Sequence, residues 1–176
     1  LSWMWYELSR NPNLEERLAN EWHKMSEVDV KKLTLTGQFF KETLRLYPAA
    51  WVLLREAIEP VTLQGNQFKK GSSFLISPYL MHRHPTYFEN PDQIDVDRFS
   101  SDDKAQVSFS YLPFGAGPRS CIGSQFATYE ARLIMCVIGR EFRLSMIENH
   151  HPVEAEPLIS LRIKNGLYMM LHKREQ

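Results

Sequence analysis

The stretch Phe114-Gly115-Ala116-Gly117-Pro118-Arg119-Ser120-Cys121-Ile122-Gly123, FGAGPRSCIG, decides how the rest of this sequence is read. Three glycines, a proline, an arginine and one of only two cysteines fall within ten residues, directly before a run with helical periodicity. Glycines at 115, 117 and 123 admit backbone angles and close approaches that side chains block. The following helix turns its unpaired N–H groups and positive dipole end towards Cys121, a setting that favours a thiolate. Such a sulfur is either a nucleophile or a metal ligand. Arg119 adds a cation that could pair with an anionic group beside a metal.

Outward from the loop, the helix is marked by Ile122, Phe126, Tyr129, Leu133, Ile134 and Val137. Cys136 falls near its end, roughly 22 Å from Cys121 at about 1.5 Å per residue, so both cysteines are expected as free thiols of a reducing compartment, cytoplasmic or cytoplasm-facing. Beyond the helix, EFRLSMI, LISLRI and LYMML read as strands, the last two joined as a hairpin around Asn165-Gly166. Before the loop, Met81 to Leu112 is rich in Pro, Asp, Asn and Ser and too long for a bare connector, which predicts an ordered meander.

Further upstream, WVLLREA, VTLQGNQF and SSFLIS read as short strands with turns at Gly65-Asn66 and Lys70-Gly71. Helices are predicted over Leu1 to Leu8, from an Asn11 cap with Pro12 at the first position and Leu14, Leu18, Trp22 and Met25 on one face, and over about Thr36 to Tyr47, stopped by Pro48. The expected class is mainly α with small antiparallel sheets, in one continuous unit over residues 1–176. The 21 basic and 21 acidic residues balance, which argues against nucleic acid as a partner. No apolar run reaches the roughly 20 residues of a spanning helix. The chain starts without Met and in apparent mid-helix, so truncation at the N-terminus is expected, and any targeting segment would have preceded Leu1.

Phe, Gly, Arg, Cys and Gly in the spacing FxxGxRxCxG arise by chance on the order of once in tens of thousands of chains this long. On that pattern, at Phe114, Gly117, Arg119, Cys121 and Gly123, the sequence resembles the cytochrome P-450 superfamily. Two landmarks agree in order and spacing. ETLRLYP carries an ExxR element at Glu42 and Arg45, and IDVDRF puts Arg98 at the position of the family's meander arginine. Departures fall at Ile94, Val96 and Asp97, where Phe, Pro and Glu are usual, and bear on local meander geometry.

The resemblance covers the C-terminal part of the family's fold. It implies haem b (iron protoporphyrin IX) with Cys121 as proximal iron ligand, Arg119 and Arg55 on the propionates, Phe114 beside the sulfur, and Gly115, Gly117 and Gly123 shaping the cofactor loop. Glu42, Arg45 and Arg98 would be a buried structural network. Trp51, Val52, Leu53, Leu158, Ile159 and Ser160 match regions lining the substrate cavity, so the implied substrate is small and hydrophobic. The implied activity is haem-thiolate monooxygenation, with electrons from a ferredoxin, flavodoxin or flavin reductase docking on the Cys121 face. The family's oxygen-handling threonine would lie upstream of residue 1, so these residues alone are expected to be inactive.

Two other chemistries start from the same residues. His82, His84, His150 and His151 invite zinc, but no CxxC accompanies them, and hydrogen-bonded or exposed loop histidines are the simpler reading. A cysteine hydrolase would use Cys121 as nucleophile with a distant histidine as base, and leaves Arg119, Gly123 and the Glu42-Arg45 pair unexplained. A truncated, inert remnant is the non-enzymatic alternative.

Overall fold

A computed structural model describes residues 1–24, 27–100 and 109–175. Four helices build the core: α1 (Ser2–Arg10), α2 (Pro12–His23), α3 (Thr34–Leu46) and, after the cysteine loop, a long helix over Ser124–Glu141. Met4, Trp5 and Leu8 of the first, Leu14, Leu18 and Trp22 of the second, and Phe39 and Phe40 of the third close on Ala131, Met135 and Cys136 of the long helix. Met25, expected on the same face as Trp22, lies outside the described residues, as do residues 101–108 of the meander.

Local chemistry accounts for the helix ends. Asn11 does occupy the first cap of α2, but its side chain turns back, Nδ2 donating to the Glu7 carbonyl at 2.7 Å, and gives no side-chain cap. Pro12 at the next position has no N–H to satisfy. α3 begins two residues before the expected Thr36 because a distant carboxylate completes its first turn. Glu21 accepts from the amides of Leu35 and Thr36 at 2.6 and 2.9 Å and from the Thr36 hydroxyl at 2.5 Å. Tyr47 ends the helix, as its Pro48 neighbour dictates.

The predicted strands are present, but one turn and one pairing differ from expectation. β1 (Leu53–Glu56) and β4 (Ser73–Ile76) pair antiparallel, with Arg55 opposite Phe74. Between them β2 (Val61–Leu63) and β3 (Asn66–Phe68) form a hairpin whose turn residues are Gln64 and Gly65, at φ 48° and 79°, one position earlier than the Gly65-Asn66 signal. After a one-turn helix, α4 (Pro78–Met81), and the 3-10 turns Val96–Phe99 and Gly117–Arg119, the long helix α5 (Ser124–Glu141) leads into β5 (Phe142–Met146). Then come β6 (Ala155–Pro157), β7 (Leu161–Ile163) and β8 (Met169–Lys173). β7 pairs back with β6, and β8 with β5, with Ser145 opposite Met170 and its hydroxyl 2.8 Å from the His172 Nε2. The expected β7–β8 hairpin is therefore replaced. Asn165 and Gly166 do turn the chain, at φ 62° and 81°, yet the strand they release goes to β5.

α5 buries only part of the face its large apolar residues mark, since Leu133 packs on the core but most of the others do not. Ala131, Met135, Cys136 and Gly139 are inside, whereas Ile122 and Phe126 are 103% and 69% exposed and Tyr129 and Val137 lie on the surface. The helix is apolar on two sides, so periodicity alone selects no single face. Gly139 lets Trp22 of α2 approach closely.

Candidate functional site

The cysteine loop folds as its glycines require. Gly115 and Gly117 hold φ of 71° and 72°, a region unfavourable to any side chain bearing Cβ. Gly123 does not share that need: its φ is −85°, and a Cβ there would meet the Cys121 Sγ at an ordinary 3.8 Å. The Cys121 amide donates to the Phe114 carbonyl at 2.9 Å and that of Gly115 to Leu112 at 3.1 Å, closing the loop on itself. Cys121 stands exposed as a free thiol, three residues before α5, and Cys136 is the buried, free one. Burial pushes the Cys136 thiol up, which leaves it inert.

Phe114 turns its ring into the core, 6.5 Å from that of Phe40, and lines one wall of a cavity of about 400 Å3 with Ser124, Gln125 and Tyr129. Leu53 reaches the loop from the other side, 3.9 Å from where a Cβ on Gly115 would be. Alternation along β1 puts Arg55 on the same strand face as Leu53, and so on the loop side of the sheet. Arg55 is exposed, its Nη1 donating at 2.8 Å to the neighbouring Leu54 carbonyl, and Arg119 is exposed at the end of its 3-10 turn. Among the described residues neither arginine forms an ion pair with a carboxylate.

Behind the loop, Glu42, Arg45 and Arg98 come together. Glu42 and Arg45 are both fully buried and joined by two bonds, Nε to Oε2 at 2.8 Å and Nη2 to Oε1 at 2.7 Å. The remaining guanidinium protons go to the carbonyls of His82, Pro91 and Gln93 at 2.9, 2.5 and 3.0 Å. Glu42 also accepts the Asp95 amide at 2.9 Å, and Arg98 approaches it to 3.5 Å while donating to the Glu89 carbonyl. A charged pair without water is tolerable only when its other protons and lone pairs are satisfied, as here. The three departures from pattern fit this frame. Ile94 and Val96 pack on the core, and Asp97 takes a two-point bond from Arg17, which holds its carboxyl below the usual range.

Sequence reasoning missed His82, passed over as a loop histidine. It is fully buried, with its ring Nδ1 3.2 Å from the Arg45 carbonyl and its Nε2 accepting the Leu112 amide at 2.8 Å. Both nitrogens are taken, so it offers no metal an electron pair. The other histidine rings bond to Ala19, Thr86, Tyr168, Ser145 and adjacent carbonyls, none to Cys121. That leaves a cysteine nucleophile without a base. Nothing in the sequence near MHRHP signals partners 30 and 37 residues away.

The two stretches expected to line a cavity also meet. Trp51 donates its indole N–H to the Leu158 carbonyl at 2.8 Å, and the Leu161 amide donates to Ala49 at 3.0 Å. Trp51, Val52 and Leu53 are half-buried, while Leu158, Ile159 and Ser160 form the exposed turn between β6 and β7, Ile159 fully in the open. An exposed thiol, apolar side chains left uncovered beside it in the chain, and two cations without carboxylate partners are the complement of a flat apolar macrocycle with two acidic arms and a thiophilic metal. The residues fit haem.

Comparison with known proteins agrees. The family model for cytochrome P450 matches residues 1–170. Cyclooctatin synthase of Streptomyces melanosporofaciens is 39% identical over 154 residues, covering 84% of this chain and 34% of that protein. Human cytochrome P450 4V2 is 32% identical over 99% of the chain and 35% of its own length. The chain thus spans about a third of these relatives. Among solved structures, a retinoic-acid-bound cyanobacterial CYP120A1 superposes with a TM-score of 0.90 at 28% identity, over 99% of this chain and 42% of that one. The fold alone is shared with CYP102L1, at a TM-score of 0.88 and 23% identity. The chain belongs to the cytochrome P450 family.

Proposed function

We propose that these residues are the haem-holding C-terminal portion of a cytochrome P450 monooxygenase that oxidises a small hydrophobic substrate. The observation that carries this reading is the exposed Cys121 thiol on a loop bent by Gly115 and Gly117, backed by the buried Glu42–Arg45–Arg98 node. When bound, a thiolate-ligated haem supplies activation of dioxygen for insertion of an oxygen atom into a C–H bond.

The chain's residues divide the remaining work. Cys121, on a loop shaped by Gly115, Gly117 and Gly123, would hold the iron, and Arg119 and Arg55 the propionates. Glu42, Arg45 and Arg98 tie the meander to α3. Trp51 to Leu53 and Leu158 to Ser160 form two apolar walls that orient substrate and exclude water. An electron donor, ferredoxin, flavodoxin or flavin reductase, docks on the Cys121 face, where the cavity beside Phe114 and Tyr129 offers a foothold. Among the described residues no helix is long and apolar enough to cross a membrane.

The same reading expects residues 1–176 by themselves to hold haem weakly and to turn over no substrate, since they span about a third of the length of their relatives. The test is Cys121→Ser in the full-length protein. Loss of the thiolate-type absorption of the reduced carbon monoxide complex is expected, and an unchanged spectrum would overturn the assignment.

A further inference from the structure

His82 joins two elements of the site through one ring. On one side lies α3, whose Arg45 carbonyl faces Nδ1 at 3.2 Å. On the other lies the start of the cysteine loop, whose Leu112 amide faces Nε2 at 2.8 Å. The carbonyl can only accept and the amide can only donate, so together they dictate a neutral imidazole with its proton on Nδ1. Arg45 answers with Nη1 on the His82 carbonyl at 2.9 Å, so residues 45 and 82 are tied in both directions.

From Leu112 the tie runs on. Its carbonyl takes the Gly115 amide, and the next residue but one, Phe114, takes the amide of Cys121 at 2.9 Å. Packing leaves the ring little freedom, with Tyr111 and Phe88 centred 5.1 and 6.3 Å away. The charged neighbours are the cations Arg45 and Arg83, and burial with those charges pushes the imidazole down to about 4, which favours the neutral form.

We propose that His82 is a positioning residue for the haem ligand: by accepting the Leu112 amide while donating to the Arg45 carbonyl, it couples the buried Glu42–Arg45 pair to the loop that presents Cys121. The inference rests on the reading of Cys121 as iron ligand, and it concerns only how that sulfur is held.

The test compares two amides in the full-length protein. A glutamine can place an oxygen where Nε2 sits, and an asparagine can place an N–H where Nδ1 sits. If the link to Leu112 sets the loop, His82→Gln keeps the thiolate-type carbon monoxide spectrum and haem retention, while His82→Asn loses most of both. In the haem-free protein the Leu112 amide should exchange with solvent about ten- to a hundredfold faster in His82→Asn than in wild type or His82→Gln. Equal behaviour of the two variants, whether both intact or both defective, would overturn the proposal, and so would the reverse order. A wild-type protein without the thiolate spectrum would instead remove the reading of Cys121, and this inference with it.

Discussion

Gly139 of α5 lies flat against the indole of Trp22 in α2, so closely that a Cβ on residue 139 would stand 2.2 Å from Cζ3. The ring cannot retreat, being wholly buried and tied through Nε1 to the Thr36 hydroxyl at 2.8 Å. Gly139→Ala is therefore expected to destabilise the protein by about 3 kcal/mol, the upper end for overpacking, and to lower Tm by roughly 6–12 °C. Thermal unfolding of wild type and variant checks it.

Glu42→Ala should be worse. It leaves Arg45 and Arg98 facing each other in the interior without their carboxylate and frees the Asp95 amide. Breaking a buried pair from one side costs about 3–5 kcal/mol, enough to prevent haem incorporation in the full-length protein. Normal haem content in that variant would refute the structural role.

Glu21 extends the same logic to the start of α3, where one carboxylate accepts two amides and a hydroxyl. Glu21→Ala should cost about 1–3 kcal/mol. It should also raise amide exchange at Leu35 and Thr36 before any other part of the helix. Denaturant unfolding with exchange mass spectrometry reads both.

The His82 imidazole gives stability a defined acid limb. Its folded value is about 4 against 6.5 for an unperturbed histidine, so between those values the unfolded chain binds more protons than the native one. This contribution is complete above pH 6.5 and lost as pH falls towards 4, and amounts to on the order of 3 kcal/mol. Urea unfolding at pH 7.5 and pH 4.5 should show a larger drop for wild type than for His82→Gln; parallel drops would contradict the assignment.

The parts of this molecule legible from its sequence are those whose partners are close along the chain. Gly115 and Gly117 bend a loop that closes within seven residues, from Phe114 to Cys121, and Glu42 meets Arg45 at one turn of helix. What escaped depends on distant groups. The β5–β8 pairing overrides a local turn at Asn165-Gly166, Glu21 caps a helix 14 residues away, and His82 takes its orders from Arg45 and Leu112. The buried face of α5 was hidden for another reason: both sides of the helix are apolar, and distant contacts, among them Trp22 on Gly139 and Arg132 on the Leu33 carbonyl, select one.

The indole bond from Trp51 to the Leu158 carbonyl spans 107 positions of sequence and ties its two ends together. Substitutions at those ends should therefore be non-additive. Where both segments meet substrate, as proposed above, a lineage adapting this protein to a new molecule would have to change them in concert, because the benefit of a mutation in either depends on what the other already holds.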